Sequence, residues 1–155
     1  MKSDDSNIDE RGLERLCRTR LKEAREARGI HPSELALYVY NSQSAYYDLE
    51  NCDGEIFMNL ELHELDRLTA ALGKRPIDLF ASRPTEHVIT PEDLCRRIKV
   101  YLAEKQMPVN AFEEAVTWEI GPGLADSSEI LNWNIDCLRC VCSEIGVNWL
   151  EALPA

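Results

Sequence analysis

The sequence predicts an all-α protein, and three features carry that expectation. Apolar residues recur at three- and four-residue steps along most of the chain. The seven glycines and seven prolines among 155 residues fall between these runs rather than inside them. Several runs also open on residues that cap helices.

Taken in order, residues 1–12, MKSDDSNIDERG, form a flexible acidic arm. Leu13, Leu16, Cys17, Leu21 and Ala24 then mark one face of a helix running to about Arg28, and Gly29 stops it. HPSELALYV restarts a helix with Pro32 in its first turn, Glu34 near the positive end of the dipole and His31 as a cap. Asn41 interrupts, and Ser42 is a good N-cap for a helix from Gln43 to about Asn51. CDGE reads as a loop. NLELHELDRLTAAL places Leu60, Leu65, Leu68 and Leu72 on one helical face, ends at Gly73, and is followed by a short PIDLF helix. Five helices are thus expected in residues 13–81, with a linker over 82–90.

A second helical domain, 91–155, opens on Thr90-Pro91-Glu92-Asp93, a cap with proline and acids in the first turn. Leu94, Ile98, Tyr101 and Leu102 give its first helix an inward face. Gly121-Pro122-Gly123 cannot continue a helix, and Asp126 with Glu129 fits a capping box for a long helix from Ser127 to about Ile145. The two halves look related. Leu21–Leu35 lies over Ile98–Phe112 with a shift of 77, and Leu65–Phe80 lies over Leu138–Leu153 with a shift of 73. The second copy is therefore four residues shorter, and the gap falls where the first has its Gln43–Asn51 helix.

No apolar run approaches the roughly 20 residues that span a bilayer, and the polar N-terminus lacks the apolar stretch of a signal peptide. A soluble, cytoplasmic protein with free thiols is expected. The net charge of −11 is unevenly spread: residues 13–83 carry −2 and residues 84–155 carry −7. Most nucleic-acid affinity comes from neutralising phosphates, so the C-terminal half is excluded from that work. The bases of the first half cluster early, at Arg15, Arg18, Arg20, Lys22, Arg25 and Arg28. With acids at Glu14, Glu23 and Glu26 between them, they read as a solvated helix face.

Leu35-Ala36, Val39, Ser42-Gln43-Ser44, Tyr46, Leu49, Glu50-Asn51 and the following LTAALGKRPIDLF resemble the Cro/C1-type helix-turn-helix family, the lambda-repressor-like regulators. The resemblance spans the whole five-helix unit. It implies that Gln43, Ser44 and Tyr47 face base edges in the major groove, with Ser42 as the cap that aims them. Ser33 and Asn51 would hold backbone phosphates. The family usually has glycine where Tyr40 stands, which implies a left-handed backbone there, costing a tyrosine about 1 kcal/mol or more. It also has glycine at the place of Cys52. Asp48, Asp53 and Glu55 stand close to where phosphates would lie.

The function implied is a sequence-specific DNA-binding transcriptional regulator acting on double-stranded DNA as a homodimer, its acidic second domain supplying a dimer or protein-partner surface. The alternative is a protein-interaction module, or a DNA-mimicking regulator, on a helix-turn-helix scaffold that no longer meets DNA. An antitoxin would combine DNA binding with a toxin partner. Trp118, Trp133 and Trp149 are core residues or interface anchors. The CLRCVC cluster (Cys137, Cys140, Cys142) lies within a helical run and lacks a second ligand pair, so core thiols are expected and no metal site. His31, His63 and His87 cluster in sequence with no nucleophile; no enzyme and no cofactor are expected.

Overall fold

The computed structural model describes residues 10–85 and 87–155, and these are helical; among them there is no strand, only one isolated bridge between Glu61 and Asn134. Most of the acidic arm lies outside the described residues, but Glu10 and Arg11 already belong to the first helix. None of the helices is long and apolar enough to cross a membrane.

Helix α1 (Glu10–Ala27) buries Cys17, Leu21 and Ala24, the stripe its sequence spacing sets. Gly29 ends it at φ 63°, where a side chain would be strained. Helix α2 (Pro32–Leu35) is one α turn, then a 3₁₀ turn over Ala36–Tyr38, with the His31 ring accepting from the Ser33 amide. Tyr40 and Asn41 follow at φ 53° and 51°, so the left-handed corner expected at Tyr40 is present. Helix α3 (Gln43–Asn51) is capped by the Ser42 hydroxyl, which accepts from the Ala45 amide at 3.1 Å.

Two corrections follow. CDGE is not wholly loop: after Gly54 at φ 81° the chain forms helix α4 (Glu55–Asn59), too short for periodicity to reveal. The expected Asn59–Leu72 helix begins later, as α5 (Leu62–Ala71), because Leu60 is extended and Glu61 closes a capping box with Glu64. A 3₁₀ turn over Pro76–Leu79 completes the first half.

The second half contains α6 (Pro91–Glu104), capped by Thr90, then α7 (Val109–Val116), α8 (Gly121–Ala125) and α9 (Ile135–Ile145). Here Gly121-Pro122-Gly123 opens a helix instead of preventing one, since proline is tolerated in a first turn. Gly123 is needed for space: a Cβ there would stand 2.9 Å from the Trp133 ring. The expected Ser127–Ile145 helix is broken. Ser127–Asn132 is a 3₁₀ stretch, Trp133 is extended, and Asn134 recaps α9 by accepting from the Cys137 amide at 2.8 Å. Asp126 does cap Ser128, but Glu129 bonds Asn132 rather than closing a box.

The halves follow the same order of elements. Left-handed residues recur at the two sequence shifts: Gly29 with Gln106, Tyr40 with Thr117, and Gly73 with Gly146. The 3₁₀ turn at Pro76–Leu79 has its counterpart at Trp149–Ala152. Helix α3 has nine residues and α8 five, so the four missing residues remove about one turn from that helix.

Equivalent positions also meet. Glu61 bridges Asn134 in antiparallel sense, Leu62 N–H donates to the Trp133 carbonyl at 2.8 Å, and the Asn134 amide donates to the Met58 carbonyl. An antiparallel pairing of equivalent residues means a local two-fold between the halves. Beside it Phe80 packs edge-on against Phe57 and Trp149, and those two rings are tilted to each other, with centroids 5.3 to 6.5 Å apart; the Arg139 guanidinium lies over Phe57 and Trp149. The buried core runs unbroken from Cys17 to Leu153, and Ile89, within the expected linker, is only 3% exposed.

Because Phe57 is buried where the halves join, Phe57→Ala should lower unfolding free energy by about 3–5 kcal/mol. Chemical denaturation followed by circular dichroism and by tryptophan fluorescence should then show coincident transitions, whereas separate transitions would mean that the halves fold independently.

Candidate functional site: the α3 face and the seam cleft

What holds α3 in place is a buried polar network. Arg25 of α1 donates from Nε and Nη2 to the two Glu50 oxygens at 2.5 and 3.2 Å, and from Nη1 to the Ile30 carbonyl at 2.9 Å. The Tyr46 hydroxyl donates to Glu50 at 2.8 Å, and Glu50 is only 8% exposed. The bond to Glu50 holds the Arg25 guanidinium above its usual pKa, and burial pushes the Tyr46 phenol up. Stranding one charge of such a pair costs about 3–5 kcal/mol. Arg25 is therefore not part of a solvated face, as its neighbours in sequence suggested. The available signal was Glu50 itself, four residues after buried Tyr46 and next to buried Leu49, on the inward side of α3.

The six residues expected to contact DNA divide into two groups. Gln43, Ser44 and Tyr47 are exposed on the outward face of α3. The other three serve local structure. Ser42 caps α3; the exposed Ser33 hydroxyl bonds the His31 ring at 2.7 Å; and exposed Asn51 donates to the Tyr47 carbonyl at 2.8 Å.

Electrostatics decide what this face can meet. Between Arg28 and Arg67 the sequence holds eight acids and neither lysine nor arginine, a signal legible from composition alone. Several cations elsewhere are already committed. Arg18 is bonded to Asp53 at 2.5 Å, Arg25 to Glu50, and Arg75 to Asp78. Arg20, Arg28 and Lys74 line a cleft of about 570 Å³ around Gly73, which has no α3 residue in its wall. The α3 face is thus hydroxyl, amide and aromatic in character. Tyr47 on it is 59% exposed, and beside it on the α2–α3 corner stand the exposed side chains of Leu37 (74%) and Tyr40 (68%).

A second concavity, of about 470 Å³, lies on the seam, with Tyr40, Met58 and Glu61 from the first half facing Trp118, Glu119 and Trp133 from the second. Near it Glu61, His63 and Glu64 come within 4.8 Å of one another, a grouping the sequence reading missed. Its members are already engaged: Glu61 with the His63 ring, and Glu64 with the Glu61 amide in the cap of α5.

The cysteine cluster does not converge. Cys137 and Cys142 are core residues whose thiols burial pushes up to about 12, as it does for Cys17, but Cys140 is exposed, contrary to the expectation of three core thiols. Comparison with protein-family models, with curated proteins and with solved structures found no match.

At about pH 8, where exposed thiols begin to ionise, iodoacetamide should label Cys52 and Cys140 in the folded protein, and the remaining four cysteines only after denaturation. Cys52 should react more slowly than an isolated thiol, since partial desolvation and the neighbouring Asp48 both push its thiol up. Peptide mapping by mass spectrometry reads the result; rapid labelling of Cys137 or Cys142 would contradict the packing of α9.

Proposed function

We propose that residues 13–81 form a Cro/C1-type helix-turn-helix unit, that residues 91–155 are a degenerate copy of it, and that the chain is a regulator acting through protein contact. The observation that carries this reading is the absence of any lysine or arginine between Arg28 and Arg67, with Arg25 and Arg18 of α1 already bonded to Glu50 and Asp53. Phosphate neutralisation supplies most non-specific nucleic-acid affinity, and this face offers none. Exposed tyrosine with serine, glutamine and asparagine is instead the chemistry of adaptable protein contacts, where rigid aromatics supply area at low entropic cost.

DNA reading remains the second interpretation, favoured by one observation: α3 is fully formed, capped by Ser42, and presents Gln43, Ser44 and Tyr47 outward. A photo-crosslinking amino acid placed at Tyr47, irradiated in the expressing cell, separates the two. Protein adducts that survive nuclease support the protein-contact reading; nuclease-sensitive adducts, with enrichment of particular genomic fragments at low salt, would overturn it.

The two-fold partner that a helix-turn-helix unit would normally recruit in trans is, in this reading, supplied by the chain's own second half. Light scattering should therefore give the mass of one chain, 17.7 kDa. A stable homodimer at micromolar concentration would mean that the seam does not stand in for the intermolecular contact.

A further inference from the structure

The two helix corners that face each other across the seam share an unusual property. Tyr40 and Thr117, at equivalent places in the two halves, both adopt left-handed backbone, with φ of 53° and 62°. Glycine takes this conformation freely, whereas a tyrosine and especially a β-branched threonine are strained in it. Neither side chain repays the strain by filling the core, because both are exposed. What they share is position, as both line the 470 Å³ seam cleft. Strain kept at a cleft rim, where glycine would relieve it, marks side chains retained for what they contact.

The chemistry of the cleft is one-sided. Tyr40 and Trp118 supply aromatic surface, with Trp133 largely buried beneath; Glu119 and the His63-bonded Glu61 supply carboxylates, and Asn59, Asn132 and Asn134 supply amides; the lining includes no lysine or arginine. The Tyr40 hydroxyl donates to the Asn59 carbonyl at 3.2 Å, which fixes the ring at the rim. Partial burial, then the Glu64 and Glu61 carboxylates, push the Tyr40 phenol up, so the field there is negative. Aromatic faces and carboxylates both attract cations, and the volume suits a small ligand or a single long side chain.

We propose that the seam cleft is a binding site for a guanidinium cation, stacked on the aromatic rings of Tyr40 and Trp118 and paired with Glu119. The planar guanidinium stacks on rings and pairs with carboxylates through a fork of donors, both of which the cleft offers. No α3 residue lines it, so the proposal stands apart from the assignment of the α3 face.

The test uses the full chain at about 0.15 M salt, where diffuse attraction to an acidic surface is screened. Nα-acetyl-arginine amide, its neutral citrulline counterpart and a short peptide carrying one arginine are titrated by calorimetry and by tryptophan fluorescence. Saturable one-to-one binding is expected for the arginine probes and not for citrulline. A peptide that binds while the free derivative does not would assign the guanidinium to a partner's side chain; comparable binding of both would assign a free ligand.

Tyr40→Gly and Glu119→Gln should each weaken the Kd by about two- to fivefold. Tyr40→Gly should leave the melting temperature equal or higher, because it relieves strain, and this separates lost binding from lost folding. No saturable arginine binding, equal binding of citrulline, or undiminished affinity in both variants would overturn the proposal.

Discussion

The desolvated carboxylate of Glu50 is the constraint on which the first half depends. Arg25 satisfies it from α1 while also holding the Ile30 carbonyl at the entry to α2, and Tyr46 satisfies it from within α3. One buried charge pair thus sets three elements relative to one another. Such pairs contribute little net stability against an apolar replacement, but they penalise every arrangement in which either partner is left alone. The same network bears on function. It draws a basic residue of α1 inward, while Asp53 pairs Arg18 at the surface, and leaves α3 with an outward face that carries no positive charge.

The second constraint is the seam. Equivalent residues Glu61 and Asn134 pair there, and aromatic rings from both halves close around Arg139. A helical unit of this size has an apolar edge to cover, and here the second half covers it. One difference between the halves bears on the outward face. Loss of about one turn leaves α8 too short to present the outward face that α3 presents, while the left-handed corners before both helices remain. The left-handed corners are kept in both halves, while the nine-residue outward helix of the first has a five-residue counterpart in the second. The proposed guanidinium site follows the same division: its walls come from both corners and from neither α3 nor α8.

Much of the architecture is legible in the sequence. Ser42, Thr90 and His31 cap the helices they were expected to cap, because an N-cap is a local bond between a side chain and an amide two or three residues on. The shifts of 77 and 73 reappear as matched left-handed residues, because a repeated helix ending needs the same backbone wherever it recurs. Helix α4 escaped notice because five residues cannot display a period. The break at Trp133 escaped because Ser127–Ile145 has a helical pattern throughout; the interruption arises from the Leu62 N–H bond to the Trp133 carbonyl and from the Asn134 cap, one of them a contact from the other half.

The sequence by itself determined the helical class, the caps at His31, Ser42 and Thr90, and the charge balance around α3, since each depends on neighbours along the chain or on composition. Only the tertiary structure decided that Arg25 is buried on Glu50, that Cys140 faces outward while Cys137 and Cys142 do not, and that Tyr40 and Thr117 face one cleft. Those depend on which segments meet across 25 residues or more. Local pattern carries no information about such meetings, because the desolvation, packing and pairing that select them exist only once the chain has closed on itself.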